Sequence, residues 1–106
     1  MNTRIPLILA ELRQRLEALY GPRLVKMILY GSQARGDAEP GSDIDVLLVL
    51  QGRVLPGKEI ARTSDIRLDV SLRHNAVVSC AYVSSNRYQT EQSPFLLNVR
   101  REGVLV

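Results

Sequence analysis

Apolar residues near the start of the chain recur at the spacing of a helix. We predict this helix over residues 6–20, because its leucines follow one another at steps of three and four and so share one side. Those leucines are Leu9, Leu12, Leu16 and Leu19. Gly21-Pro22 comes directly after, and this pair ends the helix.

Two short runs, residues 24–30 and 44–50, are nearly continuous in apolar character and are bounded by glycine. Such runs are typical of strands that are buried on both faces. The polar stretch between them, residues 31–42, is expected to form a loop or a short helical turn. Because this connection is long and rich in polar residues, we expect it to carry function.

Residues 56–74 fit two structures. Their length, their charges and the Pro56-Gly57 pair favour a helix, whereas apolar and charged residues alternate from Ile66 to Leu72 as in a strand. We favour the helix, because a crossover helix before a third strand at residues 76–83 gives a coherent α/β domain.

The end of the chain carries strong helix signals. Ser93 is expected to cap a helix that begins at Pro94 and ends before Gly103. Residues 104–106 are apolar, and they either complete the domain's own sheet or dock a partner.

Composition narrows the class of protein. The 106 residues are 45% hydrophobic and contain one Cys, so we expect a single domain over residues 1–106 without an intrachain disulfide. The basic residues behind the net charge of +3 are scattered along the chain, so nucleic acid is not expected as a direct ligand.

No apolar run is long enough for a membrane span, and no signal peptide is apparent, which predicts a cytoplasmic protein. A domain this small has little core of its own, and a homodimer is consistent with that.

Candidate chemistry lies where the two apolar strands meet the polar connection. Asp43 and Asp45 are two residues apart at the start of the second strand, so their carboxylates are expected on one face. Paired carboxylates repel unless a hard divalent cation such as Mg²⁺ lies between them. Gly31 and Ser32 end the first strand, where backbone amides can bind phosphate. Arg35 adds a cation that can help to neutralise phosphate charge, although a single arginine on a loop is as often simply solvated. An Asp-x-Asp pair alone is more often a solvated turn, but its place at the start of an apolar strand favours a site.

These motifs resemble a known family. Gly31-Ser32-Gln33-Ala34-Arg35-Gly36-Asp37, followed by Ser42-Asp43-Ile44-Asp45, is similar to the signature of the minimal nucleotidyltransferases of the DNA polymerase β-like superfamily. The resemblance implies a small mixed sheet flanked by helices, with Mg²⁺ held by Asp43 and Asp45. It also implies that a nucleoside triphosphate contacts Gly31 and Ser32, and that AMP passes from ATP to an acceptor hydroxyl.

The family pattern includes a third carboxylate on a further strand. If residues 56–74 form a helix, the third strand has no acidic residue; if they form a strand, Asp69 could supply the ligand. Catalytic competence depends on this alternative.

The resemblance also points to a partner. It implies a role like that of the antitoxin in HEPN/MNT toxin–antitoxin pairs, in which the small nucleotidyltransferase silences a HEPN ribonuclease by adding AMP to a tyrosine. The alternatives are a binding module that has lost catalysis and a nucleotidyltransferase for a small molecule whose specificity domain lies on another chain.

Overall fold

The computed structural model describes residues 4–106. Along these residues helices and strands alternate up to the third strand, after which two helices precede the last strand. None of the described helices has the length and apolar character needed to cross a membrane. In chain order the elements are α1 (Arg4–Tyr20), a 3₁₀ turn (Gly21–Arg23), β1 (Leu24–Tyr30), α2 (Ser32–Arg35), β2 (Ile44–Leu50), α3 (Pro56–His74), β3 (Val78–Ser84), α4 (Ser85–Thr90), α5 (Pro94–Glu102) and β4 (Val104–Leu105).

The strands form one mixed sheet in the order β3-β2-β1-β4. β2 pairs in parallel with β3, whereas β1 pairs antiparallel with both β2 and β4. Val104 lies opposite Leu29, and Leu105 lies opposite Ile28. The predicted small mixed sheet flanked by helices is therefore confirmed, and the apolar end of the chain completes the domain's own sheet.

Helix α1 packs on one face of the sheet through the predicted stripe. Leu9, Leu12 and Leu16 are buried, but Leu19 is 41% exposed and Tyr20 takes its place in the core. The prediction was wrong for Leu19 because Tyr20, the next residue, fills the core at the end of the helix and reaches a buried polar partner on another helix. The hydroxyl of Tyr20 donates a hydrogen bond to Glu59, at 2.9 Å.

Helix α3 covers the same face beside α1, so the helix prediction for residues 56–74 is confirmed and the strand alternative is wrong. Thr63 and Val70 are fully buried, whereas Ile60 is 49% exposed. Asn75 ends the helix in the left-handed conformation. Strand β3 consequently starts at Val78, two residues later than predicted.

The opposite face of the sheet is covered by α4 and α5. Ser93 caps α5 as predicted, its hydroxyl accepting from the amide of Leu96 at 3.3 Å. Leu96 and Val99 are buried against the sheet. Helix α4 was not predicted from the sequence; it spans six residues, and the hydroxyl of Ser84 caps it.

Glu59 is the buried carboxylate of the α1–α3 face, with 2% of its surface exposed. It accepts hydrogen bonds from Tyr20 and from Arg23, the latter at 3.2 Å. Burial raises the pKa of Glu59, but these hydrogen bonds and the charges of Arg23 and Arg62 outweigh burial, so the net shift is downward. The ionised carboxylate therefore stabilises the packing of α3 on α1.

Candidate active site

The bend after β1 and the start of β2 lie in direct contact. Gly31 has φ of 74° and ψ of −157°, a backbone conformation that residues other than glycine rarely adopt. A Cβ built on Gly31 would lie 2.6 Å from Oδ2 of Asp45. Only a residue without a side chain lets the Asp45 carboxylate lie this close to the backbone of the bend.

Asp45 faces the side of the sheet that α5 covers, opposite Tyr30 of β1 and Ser79 of β3. Asp43 lies two residues earlier, just before β2, and is exposed, whereas Asp45 is half-buried. Burial raises the pKa of Asp45, and the negative charge of Asp43 raises it further. The Asp45 carboxylate is therefore harder to ionise than that of an isolated aspartate.

Within residues 4–106 neither Asp43 nor Asp45 forms an ion pair or a side-chain hydrogen bond with the protein. A pair of carboxylates without a protein cation, one exposed and one half-buried, is the donor set that Mg²⁺ uses when one or two carboxylates are combined with substrate phosphates. The two side chains therefore fit a magnesium ion that is completed by other ligands.

Ser32 begins the short helix α2 immediately after Gly31. The carbonyl of Gly31 accepts hydrogen bonds from the amides of Ala34 and Arg35, both at 3.1 Å. The first two amides of the turn, those of Ser32 and Gln33, are the ones that such a turn leaves for an outside acceptor. Together with the Ser32 hydroxyl they give the bend donors for phosphate oxygens.

Arg35 lies on the surface at the end of α2 and is already paired with acidic side chains. Its guanidinium is 3.2 Å from Asp37 and 3.6 Å from Glu102 of α5. The hydrogen bond and the charge of Asp37 raise the pKa of Arg35. The sequence did not indicate Glu102, which lies far from Arg35 along the chain. The structure thus places Arg35 near the bend, but its charge is neutralised by Asp37 and Glu102.

The structure does not provide a third carboxylate from Asp69. Asp69 lies on α3, where it pairs with Arg15 of α1 and lies 4.0 Å from Arg73. Ser79, not an acid, is the β3 residue opposite Asp45. In the part of the chain that the structure describes, no group of three or more His, Cys, Asp or Glu side chains is arranged to hold a metal ion.

A cleft of about 700 Å³ lies on the other side of the polar connection, between the start of α1 and the end of α3. Gln33, Ser42 and Asn75 contribute to its lining, but Gly31, Asp43 and Asp45 do not. The chemistry-bearing side chains face the opposite side of the sheet, so we assign the site by the carboxylates and not by the size of the cleft.

Comparison with known proteins identifies the class. The nucleotidyltransferase domain family matches residues 9–93, and the chain belongs to this family. The whole motif region and most of the sheet lie within the match.

Two relatives come from Methanocaldococcus jannaschii and are named as candidate protein adenylyltransferases. MJ0141 is 32% identical over 100 residues, which cover 93% of this chain and 95% of that protein. MJ1305 is 36% identical over 75 residues, which cover 68% of this chain and 50% of that protein. The chain thus matches nearly all of one relative and only half of the other.

A solved structure, a toxin–antitoxin crystallised with AMP-PNP, has the same fold. It superposes with a TM-score of 0.62 at 15% identity, and the match covers 89% of this chain and 68% of that chain. At this identity the likeness establishes the fold alone.

Proposed function

We propose that the chain is a magnesium-dependent nucleotidyltransferase that moves AMP from ATP to a hydroxyl group of a partner protein. The observation that carries the proposal is the closeness of the Asp45 carboxylate to Gly31, where an added Cβ would lie 2.6 Å from Oδ2. Under this proposal the carboxylates bind the metal ion, and the amides that follow Gly31 bind phosphate. Membership of the nucleotidyltransferase domain family supports the same reaction class.

Charge explains why the nucleotide requires a cation here. Asp43 and Asp45 have no counter-charge among the described residues, and the nearby Arg35 is neutralised by Asp37 and Glu102. A triphosphate adds further negative charge, so it would be repelled from this face unless a divalent ion came with it. Asp43 and Asp45 would hold that ion.

The chain's own groups would orient the substrate. The amides of Ser32 and Gln33 and the hydroxyl of Ser32 bind phosphate oxygens, and Gly31 admits the triphosphate close to Asp45. Magnesium, when bound, would polarise the α-phosphate and offset the charge of the leaving group. The acceptor oxygen forms a bond to the α-phosphorus, the bond from that phosphorus to the pyrophosphate oxygen breaks, and the hydroxyl proton passes to solvent.

The acceptor that we propose is a tyrosine of a HEPN-type toxin, with this chain as its antitoxin. Two sequence relatives named for protein adenylyl transfer support a protein acceptor. The fold shared with a toxin–antitoxin that was crystallised with AMP-PNP supports the pairing of nucleotide and toxin.

A second function follows from the missing third carboxylate. Ser79 opposite Asp45 is not a ligand that strengthens metal binding as an acid would. This observation favours a binding module that keeps the fold and neutralises its toxin by forming a complex, without transferring AMP.

Intact-mass measurement separates the two functions. The purified chain is mixed with Mg²⁺, ATP and a HEPN protein encoded beside it. Addition of one or more AMP units by the wild type and by Asp69→Asn, but not by Asp43→Asn, supports the enzyme. A tight complex without any mass change, formed equally well by Asp43→Asn, supports the binding module and refutes the transfer reaction.

A further inference from the structure

Two aromatic rings lie beside the carboxylates. Tyr30 is the last residue of β1 and pairs with Asp45 across the sheet, so both side chains are on the same face. The ring of Phe95, at the start of α5, meets the Tyr30 ring edge-to-face, with centroids 5.3 Å apart and planes at 88°. Burial raises the pKa of Tyr30, and the negative charge of Asp45 contributes to the same shift.

Helix α5 lies beside the bend that follows β1, and we call one side of this helix the wall. Phe95 and Glu102 are seven residues apart, so they lie on one side of the helix. Phe95 contacts Tyr30 just before Gly31, and Glu102 pairs with Arg35 at the end of the short helix that follows Gly31. The wall therefore borders both ends of the segment that offers phosphate-binding amides.

Phe95 contributes little to the core. It is 43% exposed, whereas its neighbour Leu96 is buried against the sheet. The edge-to-face contact with Tyr30 leaves part of the Phe95 ring surface open to solvent. A partly exposed ring next to a charged site is a surface on which a flat ligand can stack.

We propose that Tyr30 and Phe95 form the binding site for the nucleobase of the nucleotide, an inference that rests on the proposed function. The phosphates would lie on the bend that begins one residue after Tyr30, so the base would project toward the two rings. Stacking on rings tolerates every base, because each base has a flat π face. ATP, GTP and CTP should consequently bind with affinities within a few-fold of one another.

Calorimetry with two probes tests the base site. Mg²⁺–AMP-PNP carries a base, whereas Mg²⁺–tripolyphosphate carries only the phosphates. We expect Phe95→Ala to weaken AMP-PNP binding by about tenfold through lost stacking and to leave tripolyphosphate binding unchanged. Leu97→Ala is the matched control, because Leu97 is on the same helix and 44% exposed but lies on the other side. It should change neither affinity.

Each other result overturns a defined part of the account. Equal weakening of both probes by Phe95→Ala would mean that the ring supports the phosphate site and not the base. An unchanged AMP-PNP affinity in Phe95→Ala would mean that the base binds elsewhere. The two rings would then be open to another aromatic group, such as that of the acceptor. Failure of both probes to bind the wild type would refute the proposed function itself. If AMP-PNP bound the wild type and Asp45→Asn equally well, the proposed function would fail while the effect of Phe95→Ala still decided the base site.

Discussion

Replacing Gly31 with alanine tests the contact on which the proposed function depends. The backbone conformation at Gly31, φ 74° and ψ −157°, costs a residue with a Cβ about 1–3 kcal/mol. The added methyl group would also lie 2.6 Å from Oδ2 of Asp45, so the carboxylate must retreat by a good part of an ångström. A displacement of about 1 Å in a catalytic group lowers the rate on the order of a hundredfold.

Gly52→Ala is the matched control for backbone strain. Gly52 also has a positive φ, 83°, but a Cβ there meets no atom within 4 Å. Both variants should melt at lower temperature, since about 1 kcal/mol lowers the Tm of a domain this size by roughly 4–8 °C. Only Gly31→Ala should also lose Mg²⁺–AMP-PNP affinity, by tenfold or more on the scale of roughly 1.4 kcal/mol per decade.

Thermal melts by circular dichroism and binding by calorimetry give the two readouts. If Gly31→Ala bound the nucleotide as tightly as the wild type, the carboxylate would not need its place against the bend. The closeness of Asp45 to Gly31 would then have no part in binding a metal ion and phosphate.

Three further predictions follow from the charges. Asp43→Asn should abolish Mg²⁺-dependent binding of AMP-PNP. Asp69 is a carboxylate on the other face of the sheet, so Asp69→Asn should leave this binding intact. Equal losses of affinity in the two variants, measured by calorimetry, would contradict the assignment of Asp43. Asp45→Asn should raise the free energy of unfolding at neutral pH. The raised pKa of Asp45 means that the folded protein binds the proton more tightly than the unfolded chain does. The stability of the wild type therefore falls as the pH rises through the interval between the unfolded and folded pKa values. Urea unfolding at a series of pH values checks this, and an identical pH dependence in wild type and variant would exclude it. Glu59→Gln should lower the free energy of unfolding by about 1–3 kcal/mol, because it weakens a buried, charge-assisted network. Since the pKa of Glu59 is lowered on folding, the wild type should lose that stabilisation as the pH falls below the ordinary glutamate range. A variant as stable as the wild type in urea would refute this prediction.

The sequence predicted the features that local pattern determines. The stripe of Leu9, Leu12 and Leu16 and the Ser93-Pro94 cap follow from spacing and backbone chemistry alone. The approach of Gly31 to Asp45 also follows from order along the chain, because two adjacent antiparallel strands joined by a single connection bring their near ends together. The carboxylate pair and the glycine–serine bend were therefore identifiable as candidates without coordinates.

Other features depend on packing between distant segments. The contacts of Tyr30 with Phe95 and of Arg35 with Glu102 join the bend to α5, and neither has a local signal. Helix α4 was not predicted because its six mostly polar residues carry no apolar period, and its Ser84 cap is the local signal that the sequence does contain. The exposure of Leu19 reflects competition from Tyr20, which reaches a buried partner on another helix.

The central claim is that Asp43 and Asp45 hold a divalent ion against the Gly31-Ser32 bend when a nucleotide binds. Mn²⁺ takes the same oxygen ligands as Mg²⁺ and broadens nearby NMR signals. Amide spectra of the chain with AMP-PNP and a trace of Mn²⁺ should lose the signals of Ser32, Asp43 and Asp45 first, with those of α1 and the far end of α3 unaffected. Broadening that is centred on the cleft between α1 and α3, or that is unchanged in Asp43→Asn, would contradict the claim.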